Sequence, residues 1–91
     1  LDIPDLMARK TILIIHSQKR RVGKDGDFDE LARLTEGFMG SDIAWICDRA
    51  LGLAIEQHIQ KVLSSEEKPA FNMEIRKKHY MRSLKEHEMR L

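Results

Sequence analysis

Residues 41–63 constrain this chain more than any other stretch of it. Ile43, Ile46, Cys47, Ala50 and Ala54 recur at the three- and four-residue spacing that puts side chains on one face of a helix. A second row, Leu51, Ile55, Ile59 and either Val62 or Leu63, lies beside the first and widens the expected buried face. The spacing therefore predicts the longest helix of the fold and the centre of its core, capped at its start by Ser41 or Asp42. Gly52 in mid-helix costs about 1 kcal/mol relative to alanine, so its presence predicts another element packed closely against it. Trp45 falls off the main stripe and is expected to cover the flank.

Shorter elements are legible around this helix. Pro4 has the fixed backbone angle suited to a first helical turn, and Asp5 puts negative charge at the positive end of the helix dipole. From there Ala8, Ile12 and Ile15 form one row, with Leu6, Leu13 and His16 in a neighbouring one. The β-branched run at 11–15 also fits a buried strand, and the periodicity favours helix. Residues 18–26 are polar and basic with two glycines, as in a surface connection. Asp27 and Glu30 have the spacing of an acidic capping box, which opens a helix of about two to three turns whose face is Phe28, Leu31, Ala32 and Thr35. Gly37 suits the left-handed stop after it.

Residues 64–69 read as an exposed acidic loop ending in proline. Phe71, Met73 and Ile75 alternate with polar residues, the period of a short extended segment with one buried side. A last helix carries Tyr80, Leu84, His87 and Leu91 on one face. No internal repeat is present.

At 91 residues, 42% apolar and 34% charged, the chain has the size and composition of one small soluble domain. Cys47 is the only cysteine, so no disulfide can form within the chain, and its apolar neighbours mark it as a buried small hydrophobe. Apolar runs such as residues 12–15 are far short of the roughly 20 residues of a membrane span, and a cytoplasmic location is expected. The net charge is +1, which provides no global field for nucleic acid. Basic clusters at Lys19, Arg20, Arg21 and Lys24, and at Arg76, Lys77, Lys78, Arg82 and Lys85, read as solvated faces. A helix-turn-helix reader would carry basic and amide side chains early on its recognition helix; here Asp42, Ile43, Ala44 and Trp45 stand there.

Phosphoryl transfer needs a glycine-rich loop ending in Gly-Lys-Ser or Gly-Lys-Thr, because backbone amides and a lysine must converge on the phosphates. Gly23 and Lys24 are followed by Asp25 and preceded by no strand, and no apolar strand ends in paired acids that could hold magnesium. His16, His58, His79 and His87 lack metal-ligand spacing, and no serine stands in a nucleophile elbow. By itself the chain is expected to be no enzyme and to hold no metal. His16 ends the first helix, where imidazole either caps the helix or packs on a ligand. Gly40 and Ser41 form a turn and helix start, a place where bare backbone and free amides admit a flat ligand.

In order, these elements resemble the C-terminal helical lid of AAA ATPases, the group that includes Cdc48-type unfoldases, proteasomal ATPases and FtsH-like proteases. Ile3-Pro4-Asp5, Ala8-Arg9 and Ile12-Leu13-Ile14-Ile15-His16 look like its first lid helix. Asp27-Phe28-Asp29-Glu30-Leu31-Ala32, Thr35-Glu36-Gly37-Phe38, Gly40-Ser41-Asp42-Ile43 and Ala50 are similar to its sensor-2 region. Ile75 and His79-Tyr80-Met81-Arg82-Ser83-Leu84 resemble its last helix. The resemblance implies an all-α, small four-helix lid bundle with a short extended segment before the last helix. Residues 1–91 would form a single lid subdomain of a larger ATPase whose Walker A and B domain lies outside them.

It also implies a function. His16, Gly40 and Ser41 would line the adenine and ribose side of bound ATP or ADP, with Mg2+ held in the large domain. Implied partners are the chain's own large domain, neighbouring subunits of a homo- or hetero-hexameric ring, and protein substrates or chaperones, with no nucleic acid and no membrane in this segment. The lid would couple ATP hydrolysis to ring rearrangement and protein unfolding; the alternative is a helical adaptor or chaperone-docking domain without a nucleotide role. The group commonly has a small sensor-2 residue where related branches carry arginine, and Ser41 agrees, leaving Arg33 and Arg49 as surface residues. Met39, Arg49 and His79-Tyr80 depart from the usual pattern and leave the subfamily open.

Overall fold

The row Ile43, Ile46, Cys47, Ala50 and Ala54 is buried as its spacing requires, every member at 2% exposure or less. It lies on α3 (Gly40–Leu63), which follows α1 (Leu6–Ser17) and α2 (Phe28–Leu34) and precedes α4 (Lys77–Met89). The computed structural model describes residues 3–64 and 73–90. The expected all-α bundle is observed. Of the segment read as extended, Ile75 is buried and forms a single parallel bridge with Val22, closed by hydrogen bonds of 2.8 Å from Gly23 N–H to the Ile75 carbonyl and from Ile75 N–H to the Arg21 carbonyl. Most of the expected loop at 64–69, together with Phe71 and Leu91, lies outside the described residues.

Long-range ties give the directions. His87 meets Asp42, Glu86 meets Arg49 and His79 meets Gln57, so α4 runs antiparallel to α3. Ile12 lies by Gly40, Ser17 Oγ is 3.9 Å from Cys47 Sγ, and Arg20 donates to the Cys47 carbonyl at 2.9 Å and pairs with Asp48 at 2.7 Å. The sense of α1 is therefore that of α3, and α2 packs on α1. Tyr80, fully buried, joins the layers: its hydroxyl bonds Ser17 Oγ at 2.9 Å and its ring meets Phe28 edge-on at 6.1 Å. Burial pushes the Cys47 thiol up, disfavouring the thiolate, as its reading as an inert core residue requires.

Several readings are corrected. The buried face of α1 is Arg9, Leu13 and Ser17, whereas Leu6 and Ile15 are 47% and 56% exposed. Arg9 is tolerated inside because its Nε donates to the Ala32 carbonyl at 2.9 Å and its Nη1 to the Pro4 carbonyl at 3.0 Å. It thereby satisfies a carbonyl that the end of α2 leaves without a helical partner. Asp27 caps α2 through the Asp29 and Glu30 amides, but Glu30 turns to Lys77 at 2.7 Å instead of reaching back. The N-cap of α3 is Met39, with Gly40 already helical. The basic clusters are solvated as read, most of their members being exposed, and Arg20, Lys77 and Arg82 also take part in ion pairs.

Of the second row of α3, Leu51 packs half-buried against the core, but Ile55, Ile59 and Leu63 are 40%, 50% and 79% exposed. The ties to α1 and α4 described above fall between Gly40 and Gln57. Among the described residues, a Cβ at Gly52 would meet only Arg49 Nη1, at 3.7 Å. Gly52→Ala is therefore expected to stabilise the domain by about 1 kcal/mol, raising the melting temperature by about 4–8 °C. A thermal melt showing a decrease would restore the packing role.

His79 builds a pH dependence into the start of α4. Its Nδ1 accepts from the Arg76 N–H at 2.8 Å, and Nε2 lies 2.7 Å from Gln57 Oε1, a pattern that only the neutral ring protonated on Nε2 satisfies. Burial first, then nearby Lys78, lowers its pKa from the ordinary 6.5. A lowered histidine pKa means that the unfolded chain binds the proton more readily, so this contribution is full above 6.5 and is lost as pH falls through the folded value. Denaturation midpoints should drop between pH 7.5 and 5, and His79→Gln should remove that part of the drop.

Candidate functional site

Gly40 and Ser41, two of the three residues singled out for ligand contact, open α3, where Ile12 of α1 lies beside Gly40. The turn between α2 and α3 is built on Gly37, whose φ of +85° is the left-handed conformation that glycine adopts at least cost. Phe38 N–H then closes on the Thr35 carbonyl at 3.0 Å, and Met39 turns the chain into α3. Gly40 has ordinary φ and some space: a Cβ there would lie 3.9 Å from Ile12 Cδ1. His16 stands one helical turn beyond Ile12 on the same face of α1, about 6 Å further along the axis, and is half-buried. Ser41 is exposed in the first turn of α3.

Thus the fold brings Ile12 of α1 to Gly40 and leaves Ser41 exposed, with His16 a turn further along α1. No hydrogen bond among the described residues joins His16 to Gly40 or Ser41. Asp42 supplies the negative charge at this helix start: its Oδ2 accepts from Met39 N–H at 2.9 Å and its Oδ1 lies 3.1 Å from His87 Nε2. The Met39 amide first, then His87, hold the Asp42 carboxyl below the usual range, and an acid in the first turn complements the helix dipole. Arg49, read as a surface residue, is an internal tie: its Nε bonds Glu86 at 2.7 Å and its Nη1 reaches Glu56 at 3.3 Å. Among the described residues, no three His, Cys, Asp or Glu side chains converge as a metal site.

Sequence reasoning missed Ile12 as the residue that sets the spacing between α1 and Gly40, and His87 as the partner of Asp42. Ile12 was marked only as apolar, and 45 residues separate Asp42 from His87, so no local spacing relates them.

A family model described as AAA+ lid domain matches residues 25–68, which include α2, the turn, Gly40, Ser41 and α3. The chain belongs to the AAA+ lid family. The lid is 35% identical over 89 residues, 93% of its length, to a Cell division cycle protein 48 homolog of Archaeoglobus fulgidus. It is 38% identical over 66 residues, 72% of its length, to the ATP-dependent zinc metalloprotease FTSH 1, chloroplastic, of Arabidopsis thaliana. A chloroplastic FTSH metalloprotease of Capsicum annuum is 36% identical over 66 residues. These matches cover 12%, 9% and 10% of the respective relatives, so the chain spans about a tenth of their length. Among the described residues of the lid, no helix is long and apolar enough to cross a membrane.

Proposed function

We propose that this lid closes over the adenine and ribose of ATP or ADP held in an adjoining nucleotide-binding domain. His16, Gly40 and Ser41 make the contacts. The observation that supports this reading is the approach of Ile12 on α1 to Gly40 on α3, with exposed Ser41 next to Gly40 and His16 one helical turn from Ile12. These groups suit a planar base and a ribose: glycine lets a flat ring approach the main chain, and the first turn of α3 presents free amides. The phosphates and Mg2+ are assigned to the other domain, because the sequence carries no phosphate-cradling loop. When bound there, ATP supplies the phosphoanhydride whose hydrolysis drives the machine. The residues of this chain bind and orient the nucleoside and exclude water from it. Through contacts with its own large domain and a neighbouring subunit, the lid transmits nucleotide state around a hexameric ring that remodels or unfolds proteins.

The test is nucleotide binding by a protein that joins this chain to the preceding domain. Gly40 has room for a methyl group, so Gly40→Ala should fold normally. His16→Ala and Gly40→Ala are each expected to weaken ATP binding about tenfold, the equivalent of about 1.4 kcal/mol, with the melting temperature unchanged. Unaltered affinity in both variants would remove these residues from the site. The exposed row Ile55, Ile59 and Leu63 favours the second reading, a helical docking module, which would then take the lead. Variants of that row, and not of His16, would release a bound protein partner.

A further inference from the structure

Asp42 encloses the Gly40–Ser41 turn from both sides. Its Oδ2 accepts from Met39 N–H at 2.9 Å, while its own N–H donates to the Met39 carbonyl at 3.1 Å. Gly40 and Ser41 are the two residues inside that ring. With Oδ2 engaged, the carboxylate can still rotate unless Oδ1 is held as well, and its holder is His87, 3.1 Å away on α4. An ionised carboxylate only accepts, so Nε2 of His87 is the donor.

The ring of His87 is itself fixed. It stacks on Phe38 with centroids 4.8 Å apart at 30° and lies against Trp45 at 5.7 Å. The outer face of that cluster is closed by the Arg90 guanidinium, 4.4 Å from the Trp45 ring centroid. The His87 side chain is only 13% exposed. One residue of α4 thus touches the residue before Met39, the residue that closes the turn, and the next turn of α3.

We propose that His87 is a positioning residue: by holding Asp42 it sets the geometry of the Gly40–Ser41 turn and ties the edge that faces nucleotide to α4. The consequence for nucleotide rests on the function proposed above; the positioning does not. Movement of α4 against a neighbouring domain would reach the turn through this one hydrogen bond.

Two readouts separate these parts. In the 91-residue chain, amide hydrogen exchange by NMR should show the Met39 amide of His87→Ala exchanging about five- to tenfold faster, with the Ile46 amide unchanged. His87→Gln, which keeps a side-chain N–H donor, should restore slow exchange. Unchanged Met39 exchange in His87→Ala overturns the proposal, as does an equal rise at Ile46, which would mark His87 as general packing. In the longer protein, His87→Ala should weaken ATP binding by about threefold or more, with recovery in His87→Gln. If His16→Ala weakens binding but His87→Ala does not, the tie to nucleotide is overturned. If neither does while Met39 exchange still rises, the positioning is supported and the nucleotide role of this edge falls.

Discussion

Tyr80→Ala is expected to bring the domain to the edge of unfolding. Tyr80 is the largest fully buried side chain; it fills the space between α1, α2 and α4 and has Phe28 edge-on against its ring. Truncating a buried aromatic to alanine costs about 3–5 kcal/mol, against a total stability for a small domain of about 5–15 kcal/mol. Urea titration of the variant should therefore show a much reduced or absent folded baseline. Tyr80→Phe keeps the ring and removes only the hydroxyl that meets Ser17 Oγ at 2.9 Å, for a smaller loss of about 1–1.5 kcal/mol. Because both partners serve one bond, the losses of Tyr80→Phe and Ser17→Ala should be less than additive. Full additivity would show that the pair contributes nothing.

Ile46→Ala should cost about 2–5 kcal/mol, as large-to-small changes in packed cores do, and Ile59→Ala, on the same helix, less than about 1 kcal/mol. The two positions share residue type, helix and regular spacing. They differ in that Ile46 is fully buried and Ile59 is 50% exposed. Parallel denaturant titrations would decide between the two stripes of α3: comparable losses would mean that the second row is core after all.

The main apolar stripe of α3, the left-handed stop at Gly37 and the cap at Asp27 were legible in the sequence, because each depends on neighbours within a few residues. Ile75 was legible as a buried residue of the segment before α4 for the same reason. The residues proposed for the ligand edge were nominated from a helix end and a turn, and the fold places Gly40 by Ile12, with His16 one turn on. Apart from the start of α3, which lies at Met39, the differences arise between elements distant in the chain. Arg9 is buried where the pattern favoured Ile15, Gly52 is open where it suggested close contact, and Glu30 turns to Lys77 across the molecule.

What the amino-acid sequence by itself determined is the set of helices and their start and stop signals: the i, i+3, i+4 spacing of apolar residues and the backbone preferences of Asp, Gly and Pro act locally and need no partner. What only the tertiary structure decided is which of several apolar rows goes inside and which distant polar groups meet. A helix with two apolar stripes buries the one its neighbours can reach, and a charged residue can enter the core only where carbonyls wait for it, as Ala32 and Pro4 do for Arg9. Likewise Asp42 and His87 become partners only because α4 folds back antiparallel along α3. That information lies in distances between elements, which no single element carries.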